Sequence, residues 1–281
     1  MGSAAAISAI PSSHAIPDVS SSKSSITTSI HEILPPTSRP NTLVLNPAFV
    51  TQDFDALRFE AAAYNQLPSP DSSTSTPDSS SDASGTISPV YSTNLISSPY
   101  NNPGHYLDLS SLTSSSRLFA LALTALKPTR PDYATTDYTS ALNFDAVLST
   151  LQSLIRREAH DWKQTSFYVV VFRSKLNAHV DQEWLYKLDY ESHREACESG
   201  GLLKYWFGKA DLGDEHREGE RRNLATCFWH SREDAYRGGL GPWHAKARAA
   251  GRTLYERIVF STYRFTVGDG AEEWRVEDWE D

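Results

Sequence analysis

The chain has 281 residues, a formal net charge of −9 at pH 7 and two cysteines, Cys197 and Cys227. This acidic balance argues against nucleic acid as a partner, because a surface that neutralises phosphates is normally basic. The longest apolar runs, LFALALTAL and FYVVVF, are far shorter than the ~20 residues that span a bilayer, so no membrane partner is expected. Two cysteines provide no disulfide framework, which favours a reducing compartment, and the cytoplasm is the expected location.

Composition divides the chain into five parts. A Ser-rich arm over 1–40 and a Ser/Pro-rich linker over 67–105 have almost nothing apolar to bury, so both are predicted to be disordered. Between them, residues 41–66 hold NTLVLNPAF, a candidate strand, and DFDALRFEAAAY, a candidate helix, and we expect this segment to dock on the main domain. Residues 106–270 carry the apolar patterning of one α+β domain, and residues 271–281 form an acidic tail.

The main domain begins with RLFALALTALKP, whose continuous apolar character predicts a strand covered on both faces. In the following NFDAVLSTLQSLIRREA, apolar residues recur at helical spacing from Phe144 to Ile155, which predicts an amphipathic helix with Asn143 as its cap. The next stretch, SFYVVVFRSKL, is rich in β-branched and aromatic residues and predicts a strand.

The second half of the domain alternates helices and strands. DQEWLYKLDYESHREACESGG predicts a helix with two rows of side chains. One row is Leu185, Leu188, Ser192 and Ala196, and the other is Tyr186, Tyr190, His193 and Cys197. LKYWFGKADLG, RRNLATCFWH and RIVFSTYRFTV predict three strands. Ser231 with Asp234 resembles a capping box, and Pro242 suits the first turn of a further helix.

From residue 167 onward, the predicted order is strand, helix, strand, strand, helix, strand, which is the split βαβ pattern of a ferredoxin-like fold. Right-handed crossovers place both helices on one face of the antiparallel sheet. The predicted fold class is therefore α+β: a ferredoxin-like sheet with its helices on one face, plus an extra N-terminal strand and helix. The other face is also apolar, and either a second copy of the chain in a homodimer or the extra N-terminal elements would cover it.

Three stretches, FYVVVFRSKL, NLATCFWHSREDAYRGGLGPWHAKA and YERIVFSTYRFTV, resemble an uncharacterised fungal protein family of unknown function, over residues 106–268. The strand-to-helix junction FWHSRED is also similar to the dimeric α/β-barrel superfamily, which includes small cofactor-free monooxygenases, isomerases and cyclases. The superfamily resemblance implies a barrel-like domain with a cavity for a small molecule. The fungal family itself implies no activity.

The stretch CFWHSREDAYRGGLGPWHAK contains Trp-His twice. Because successive side chains of a strand point to opposite faces, Trp229 and His230 cannot both face one pocket. We expect Trp229 and Trp243 to be core anchors, each beside a histidine that faces elsewhere.

The more polar face of the same strand is the predicted cavity wall, and the last strand is expected to contribute to it. The candidate pocket residues are Thr226, Phe228, Thr262 and Arg264. His230 on this face and His193 on the tyrosine-bearing row are the candidate catalytic residues, because an imidazole can act as base or acid near neutral pH.

The sequence lacks the common motifs that indicate a cofactor or metal site. It has no GxxxxGK[ST], HExxH or GxSxG motif, and GGLG at 238–241 is not a dinucleotide fingerprint. Neither cysteine lies in a CxxC motif or near a spaced pair of histidines. We therefore expect no cofactor and no metal.

Two functions stay open on the sequence, which does not decide whether the protein is an enzyme. The first is binding, or cofactor-free conversion by proton transfer, of a small hydrophobic or aromatic molecule in a barrel cavity. The second is a non-catalytic interaction protein whose disordered arm is phosphorylated. The Ser-Pro and Thr-Pro pairs that motivate the second begin at Ser69, Thr76, Ser88 and Ser98.

Overall fold

The computed structural model describes residues 94–100, 104–214 and 217–280, together with two short strands that precede them. For these two strands, and for residues 214, 217 and 218, only the backbone is described. The fold is α+β, with a five-stranded antiparallel sheet. The strands are β1 (Leu43–Leu45), β2 (Val90–Tyr91), β3 (Asn94–Ile96), β4 (Tyr106–Asp108), β5 (Thr165–Leu176), β6 (Leu202–Phe207), β7 (Gly213–Asp214), β8 (Arg217–Glu218), β9 (Arg222–Trp229), β10 (Tyr255–Val267) and β11 (Trp274–Asp278). The α-helices are α1 (Ser114–Ala122), α2 (Tyr138–Ala141), α3 (Phe144–Glu158), α4 (Gln182–Ser199), α5 (Arg232–Gly238) and α6 (Pro242–Leu254).

The central sheet has the strand order β11-β10-β5-β9-β6, and all neighbouring strands are antiparallel. The middle strand, β5, is buried on both sides of the sheet, because its side chains alternate between two covered faces. Phe167, Val169 and Val171 point to one face, and Tyr168, Val170 and Phe172 point to the other. This double burial explains why the strand reads as a continuous apolar run in the sequence.

The face that carries Tyr168, Val170 and Phe172 is called the α4 face. Ala196 of α4 and Ala235 of α5 pack against it. Helix α6 lies beside α4, since its apolar side chains join a cluster with the buried row of α4. These three helices therefore lie on the same side of the sheet.

The opposite face, which carries Phe167, Val169 and Val171, is called the α1 face. Phe119 of α1 and Leu151 of α3 belong to the apolar core that covers it. The N-terminal elements of the chain itself thus cover this face, so a second copy of the chain is not required to shield it from water.

The first half of RLFALALTALKP lies in α1 and Leu123–Ala125 continues it as a 3-10 helix, so the strand predicted there is wrong. The Thr113 hydroxyl caps the helix by accepting a hydrogen bond from the Ser116 backbone N–H at 3.3 Å. The residues that follow are mostly Leu and Ala, which have high helix propensity, and none is Val or Ile. Residues 118–123 are buried throughout. A helix that is buried all round is apolar all round, and this pattern cannot be told from a buried strand by periodicity.

The linker predicted over 67–105 extends too far toward the domain. Residues 94–96 form β3, which pairs with β4 in an antiparallel ladder. Leu95, Tyr100 and His105 are buried in the domain. The few apolar and aromatic residues of this stretch were overlooked because the surrounding composition is Ser-rich. They are buried because they pack against the sheet and α4.

Some sequence predictions fall partly or wholly outside the described residues. The strand predicted within NTLVLNPAF is confirmed as β1, which pairs with β2, whereas the predicted helix DFDALRFEAAAY and the Ser69, Thr76 and Ser88 pairs lie outside. Ser98, the fourth proposed phosphorylation site, is buried and hydrogen-bonds the carbonyl oxygen of Tyr100. None of the helices in the described part of the chain combines the length and the apolar character of a membrane-spanning segment.

The predicted acidic tail over 271–281 contains strand β11. Trp274 lies parallel to Phe265 with 5.8 Å between the ring centroids, and its indole Nε1–H donates to the Asp145 carboxylate at 2.7 Å. Trp274 and Val276 face the domain in alternation with charged residues. This alternation of apolar and charged residues was not recognised as a strand because the segment is acidic overall.

Candidate functional site

The residues predicted to line one cavity lie on opposite faces of the sheet. Thr226 and Phe228 of β9 are opposite Val171 and Val169 of β5, so their side chains lie on the α1 face. Thr262 is opposite Val170, so it and Arg264, two residues further on, lie on the α4 face. Directly paired residues point to the same side of a sheet. The register therefore separates the two predicted pairs, and one common cavity wall is ruled out.

Thr226 and Phe228 belong to the apolar core. The Thr226 hydroxyl hydrogen-bonds the Tyr138 hydroxyl at 2.8 Å, and both groups are buried. Burial is the main cause that raises the pKa of Tyr138 far above its usual range. The ring of Phe228 contacts those of Phe119 and Phe265. Packing and mutual hydrogen bonding account for these residues, so they offer a ligand no free group.

Thr262 and Arg264 contact the chain that follows β11. The Thr262 carbonyl accepts a hydrogen bond from the Trp279 backbone N–H at 3.0 Å. The Arg264 guanidinium lies 4.9 Å from the centroid of the Trp279 ring, in a cation–π arrangement. These contacts hold the end of the chain against the sheet.

His230 lies at the exposed end of β9 and contacts the first turn of α1. Its Nδ1 hydrogen-bonds the Ser116 hydroxyl at 2.7 Å. Ser116 is buried, so this hydroxyl is not accessible as a nucleophile. Trp229 is 1% exposed and belongs to the cluster on the α4 face. The two neighbours thus point in different directions, as the sequence predicted for the first Trp-His pair.

The second Trp-His pair departs from the prediction, because His244 is more deeply buried than Trp243. His244 Nδ1 is 2.9 Å from the Glu195 carboxylate. The same carboxylate accepts the backbone N–H groups of Trp243 and His244 at 2.7 and 3.1 Å. Glu195 of α4 therefore caps the start of α6, where unpaired N–H groups and the helix dipole favour an anion.

His193 lies in a buried cluster of polar and aromatic residues, between α4 and the edge strand β6. This tyrosine–histidine cluster consists of Tyr100, His105, Tyr186, Asp189, Tyr190, His193, Cys197 and Tyr205. Four of its members are the row Tyr186, Tyr190, His193 and Cys197 predicted on α4. Tyr205 comes from β6, and the segment between β3 and β4 contributes Tyr100 and His105.

The backbone around β3 and β4 brings Tyr100 and His105 onto α4. The Ser97 carbonyl accepts a hydrogen bond from the Tyr205 backbone N–H at 2.9 Å, which attaches the segment to the free edge of β6. Gly104, immediately before His105, has φ +93°, a conformation that disfavours residues with a Cβ. This turn directs the His105 side chain inward.

The two histidines of the cluster contact each other directly. His105 Nδ1 and His193 Nδ1 are 2.8 Å apart, and both side chains are buried. Burial, assisted by the nearby positive charge of Arg194, lowers the pKa of His105 to about 3. Burial, assisted by the proximity of His105, holds the pKa of His193 well below its usual range. Both imidazoles are therefore neutral at pH 7.

A hydrogen bond between two neutral imidazoles fixes their tautomers relative to each other. One Nδ1 carries the proton and donates it, and the other accepts. When His105 donates, its Nε2 is a bare acceptor; when His193 donates, His105 Nε2–H is a donor. In either case His105 Nε2 is buried and has no hydrogen-bond partner among the described residues. A buried polar atom without a partner is energetically costly, so His105 Nε2 is a candidate contact for a ligand.

Aromatic rings surround the histidine pair. The ring centroid of Tyr190 is 4.2 Å from that of His105, and the ring of Tyr205 is 5.4 Å from that of His193. Tyr100 contacts both histidines, at 5.1 and 5.2 Å. The histidine pair is therefore enclosed by aromatic side chains.

Asp189 and Cys197 complete the cluster. The Asp189 carboxylate is buried and accepts hydrogen bonds from the hydroxyls of Tyr205, at 2.6 Å, and Tyr100. Burial, with the negative charge of Asp189, raises the pKa of Tyr205 far above its usual range, so the phenol stays a donor. Cys197 Sγ is 3.7 Å from both nitrogens of His193, so it contacts the ring and aligns with neither nitrogen.

Sequence reasoning missed Tyr100, His105 and Asp189. The first two lie in the stretch predicted to be a linker, and Asp189 belongs to neither of the two rows predicted on α4. One signal was present: NLISSPY and HYLDL interrupt the Ser-rich composition with aliphatic and aromatic residues. Pairing of His105 with His193, 88 positions along the chain, had no sequence signal.

The chain matches the model of the PB2B2.08-like family over residues 96–278. It belongs to that family. It is also 36% identical over 184 residues to the UPF0643 protein PB2B2.08 of Schizosaccharomyces pombe, a match that covers 62% of this chain and 79% of the yeast protein. The resemblance to an uncharacterised fungal family is thereby confirmed.

The unit shared within the PB2B2.08-like family is longer at both ends than the 106–268 expected from the sequence. It begins at residue 96, in β3, and so includes Tyr100 and His105. It ends at residue 278, the last residue of β11. The family unit therefore contains every residue of the tyrosine–histidine cluster and all five strands of the central sheet.

Proposed function

We propose that the tyrosine–histidine cluster binds a small hydrophobic or aromatic molecule, and that the His105–His193 pair moves a proton on it without a cofactor. The observation that carries this proposal is the buried Nε2 of His105, which has no hydrogen-bond partner among the described residues and is surrounded by aromatic rings. A ligand with one polar group would satisfy that atom while its apolar part contacts Tyr190 and Tyr100.

The reaction class that fits is a proton shift within the bound molecule. With His105 donating its Nδ1–H to His193, the His105 Nε2 accepts a proton from one atom of the ligand. The resulting imidazolium is more acidic than an ordinary one, because burial lowers the pKa of His105 to about 3. It returns the proton quickly to a second atom, so atoms and charges balance without a co-reactant.

The ferredoxin-like fold is part of the same proposal. The order β10-β5-β9-β6, with α4 and the α5–α6 pair as connections on one face, supports a split βαβ unit. β11 and the N-terminal helices are then additions to that unit. Because α1 and α3 cover the face on which a second sheet would pack, we do not extend the proposal to a face-to-face dimeric barrel.

A cytoplasmic location also belongs to the proposal. Its support is that Cys197 and Cys227 are both free thiols, as a reducing compartment allows.

Native mass spectrometry of the full chain, purified from its own host, tests the proposal. We expect a retained small molecule on the wild-type protein and on the His230→Ala variant, and its loss from His193→Ala and His105→Ala. His230→Ala is the matched control, because His230 is exposed and lies outside the cluster. Retention by all three variants, or by none of the proteins, would contradict the proposed site.

A second measurement tests the chemistry separately from binding. In D2O, the retained molecule should gain deuterium at a carbon in the wild-type complex. His105→Gln keeps a polar group at the position but cannot cycle a proton, so we expect binding without exchange. If the bound molecule gained deuterium equally in His105→Gln and in wild type, His105 would not move the proton. The cluster would then bind the molecule without catalysing a reaction through His105. Wild-type protein that carries no small molecule would favour the rival prediction, a non-catalytic interaction protein.

A further inference from the structure

The outer edge of β10 is open along the first half of the strand. β11 pairs with β10 only over residues 263–267, and the described residues provide no strand beside 256–261 on that side. Ile258, Val259 and Phe260 are 39, 37 and 40% exposed. Open edges usually carry charged residues or proline, because an apolar edge pairs with another strand.

The direction of the open peptide groups follows from one hydrogen bond. Trp279 N–H donates to the Thr262 carbonyl from the β11 side. In an antiparallel sheet the N–H and C=O of one residue point the same way and alternate along the strand. The peptide groups of Ile258 and Phe260 therefore point outward, toward the open edge, while those of Val259 point toward β5.

We propose that this edge binds the same edge of a second copy of the chain, in an antiparallel pair centred on Val259. The inference is independent of the proposed function, since β10 contributes no residue to the tyrosine–histidine cluster. Pairing about Val259 places Ile258 opposite the partner's Phe260, and Val259 opposite its own copy. The two central sheets then continue into one sheet through the two-fold axis.

Register and charge both favour this occupant. Shifting the centre to Ile258 would put Glu256 opposite Phe260. Shifting it to Phe260 would put Ile258 opposite Thr262, whose carbonyl Trp279 already occupies, next to the centre of the pair. The Val259-centred pair reaches Thr262 only at its end, opposite Glu256, so both of its Ile258–Phe260 pairs can form. In the Val259-centred pair, the end of β11 meets the start of the partner's β10. That juxtaposition brings Glu280 close to the partner's Arg257. Both residues are exposed, and neither makes an ion pair within the described chain.

Sedimentation equilibrium of the full chain is the first test. We expect the wild-type protein to be a dimer, and Val259→Lys and Val259→Glu each to raise the dimer dissociation constant at least about tenfold, since like charges would meet at the axis. An equimolar mixture of the two variants should restore a heterodimer. Leu240→Lys, at an exposed apolar residue away from this edge, is the control and should stay dimeric.

Crosslinking tests the register. Val259 faces its own copy at a non-hydrogen-bonded position, where Cα atoms are about 4.5 Å apart, a distance that a disulfide spans. Val259→Cys should form a covalent dimer with copper phenanthroline as oxidant, and Ile258→Cys, which faces Phe260, should not. A monomeric wild-type chain, a dimer insensitive to Val259→Lys, or equal crosslinking of both cysteine variants would overturn the proposal.

Discussion

His105 and His193 face each other through their Nδ1 atoms at 2.8 Å, inside a domain that keeps both rings neutral. A single ring could be explained as a buried core histidine. Two neutral rings joined in this way form a unit with one internal proton and one outer nitrogen, His105 Nε2, that has no described partner. This geometry makes the cluster a candidate site for acid–base chemistry.

Stability should fall as the pH is lowered through the titration of these histidines. In the unfolded chain a histidine binds a proton below about pH 6.5, whereas folded His105 does so only near pH 3. The unfolded state therefore binds more protons between these values, so stability rises with pH across that window. The loss for His105 alone should be on the order of 3 kcal/mol between pH 7 and pH 4. Urea unfolding at several pH values measures it.

Two variants serve as controls for that pH dependence. The double variant His105→Phe, His193→Phe should flatten the curve, because the groups that titrate differently in the two states are gone. Leu240→Gln, at an exposed residue that carries no titratable group, should leave the slope unchanged. An unaltered slope in the double variant would show that other groups cause the acid sensitivity.

Removing a tyrosine hydroxyl that donates a hydrogen bond to Asp189 should destabilise the domain. Tyr205→Phe takes away a donor to a buried carboxylate, and a buried charged group that loses a hydrogen bond costs about 1–3 kcal/mol. Tyr236→Phe, at a tyrosine that is 47% exposed, should change the free energy of unfolding by less than about 0.5 kcal/mol. Chemical denaturation of both proteins at pH 7 gives the comparison, and equal stabilities would contradict the assigned role of Asp189.

Gly238 and Gly251 provide a matched pair of helical glycines. A Cβ at Gly238 would come within 2.3 Å of the buried Trp229 ring, whereas a Cβ at Gly251 meets nothing within 4 Å. Gly238→Ala should therefore destabilise the protein by about 1–3 kcal/mol through overpacking. Gly251→Ala should stabilise it by about 0.5–1 kcal/mol, because alanine favours a helix. Thermal unfolding would show melting temperatures shifted in opposite directions; shifts of the same sign would contradict the packing of Trp229.

The cap that Glu195 provides should matter more than an exposed ion pair on the same helix. Glu195→Gln weakens three hydrogen bonds at the start of α6 and should cost about 1–2 kcal/mol. Glu198→Gln removes only a partner of exposed Arg194 and should cost less than about 0.5 kcal/mol. Hydrogen exchange of the first-turn amides of α6 should rise in the first variant alone. Equal exchange in the two variants would count against the cap.

The amino-acid sequence by itself determined the elements that local composition, spacing or capping residues specify. The β-branched and aromatic composition of β5, the helical spacing in α3 and the Ser231 cap of α5 depend on neighbouring residues only, and all three elements were predicted correctly. The tyrosine row on α4 was visible for the same reason, because residues three and four apart share a helix face.

Tertiary structure alone decided which of these surfaces meet. RLFALALTALKP could not be recognised as helical from the sequence, because burial on all sides removes the polar face that identifies an amphipathic helix. Thr226 and Thr262 lie on opposite faces because the register between strands is set by long-range pairing, and a shift of one residue reverses every side chain. His105 meets His193 because backbone contacts with β6 fix a segment whose own composition is that of a linker. Local patterns carry no information about such contacts, since they depend on the relative positions of elements that are distant along the chain.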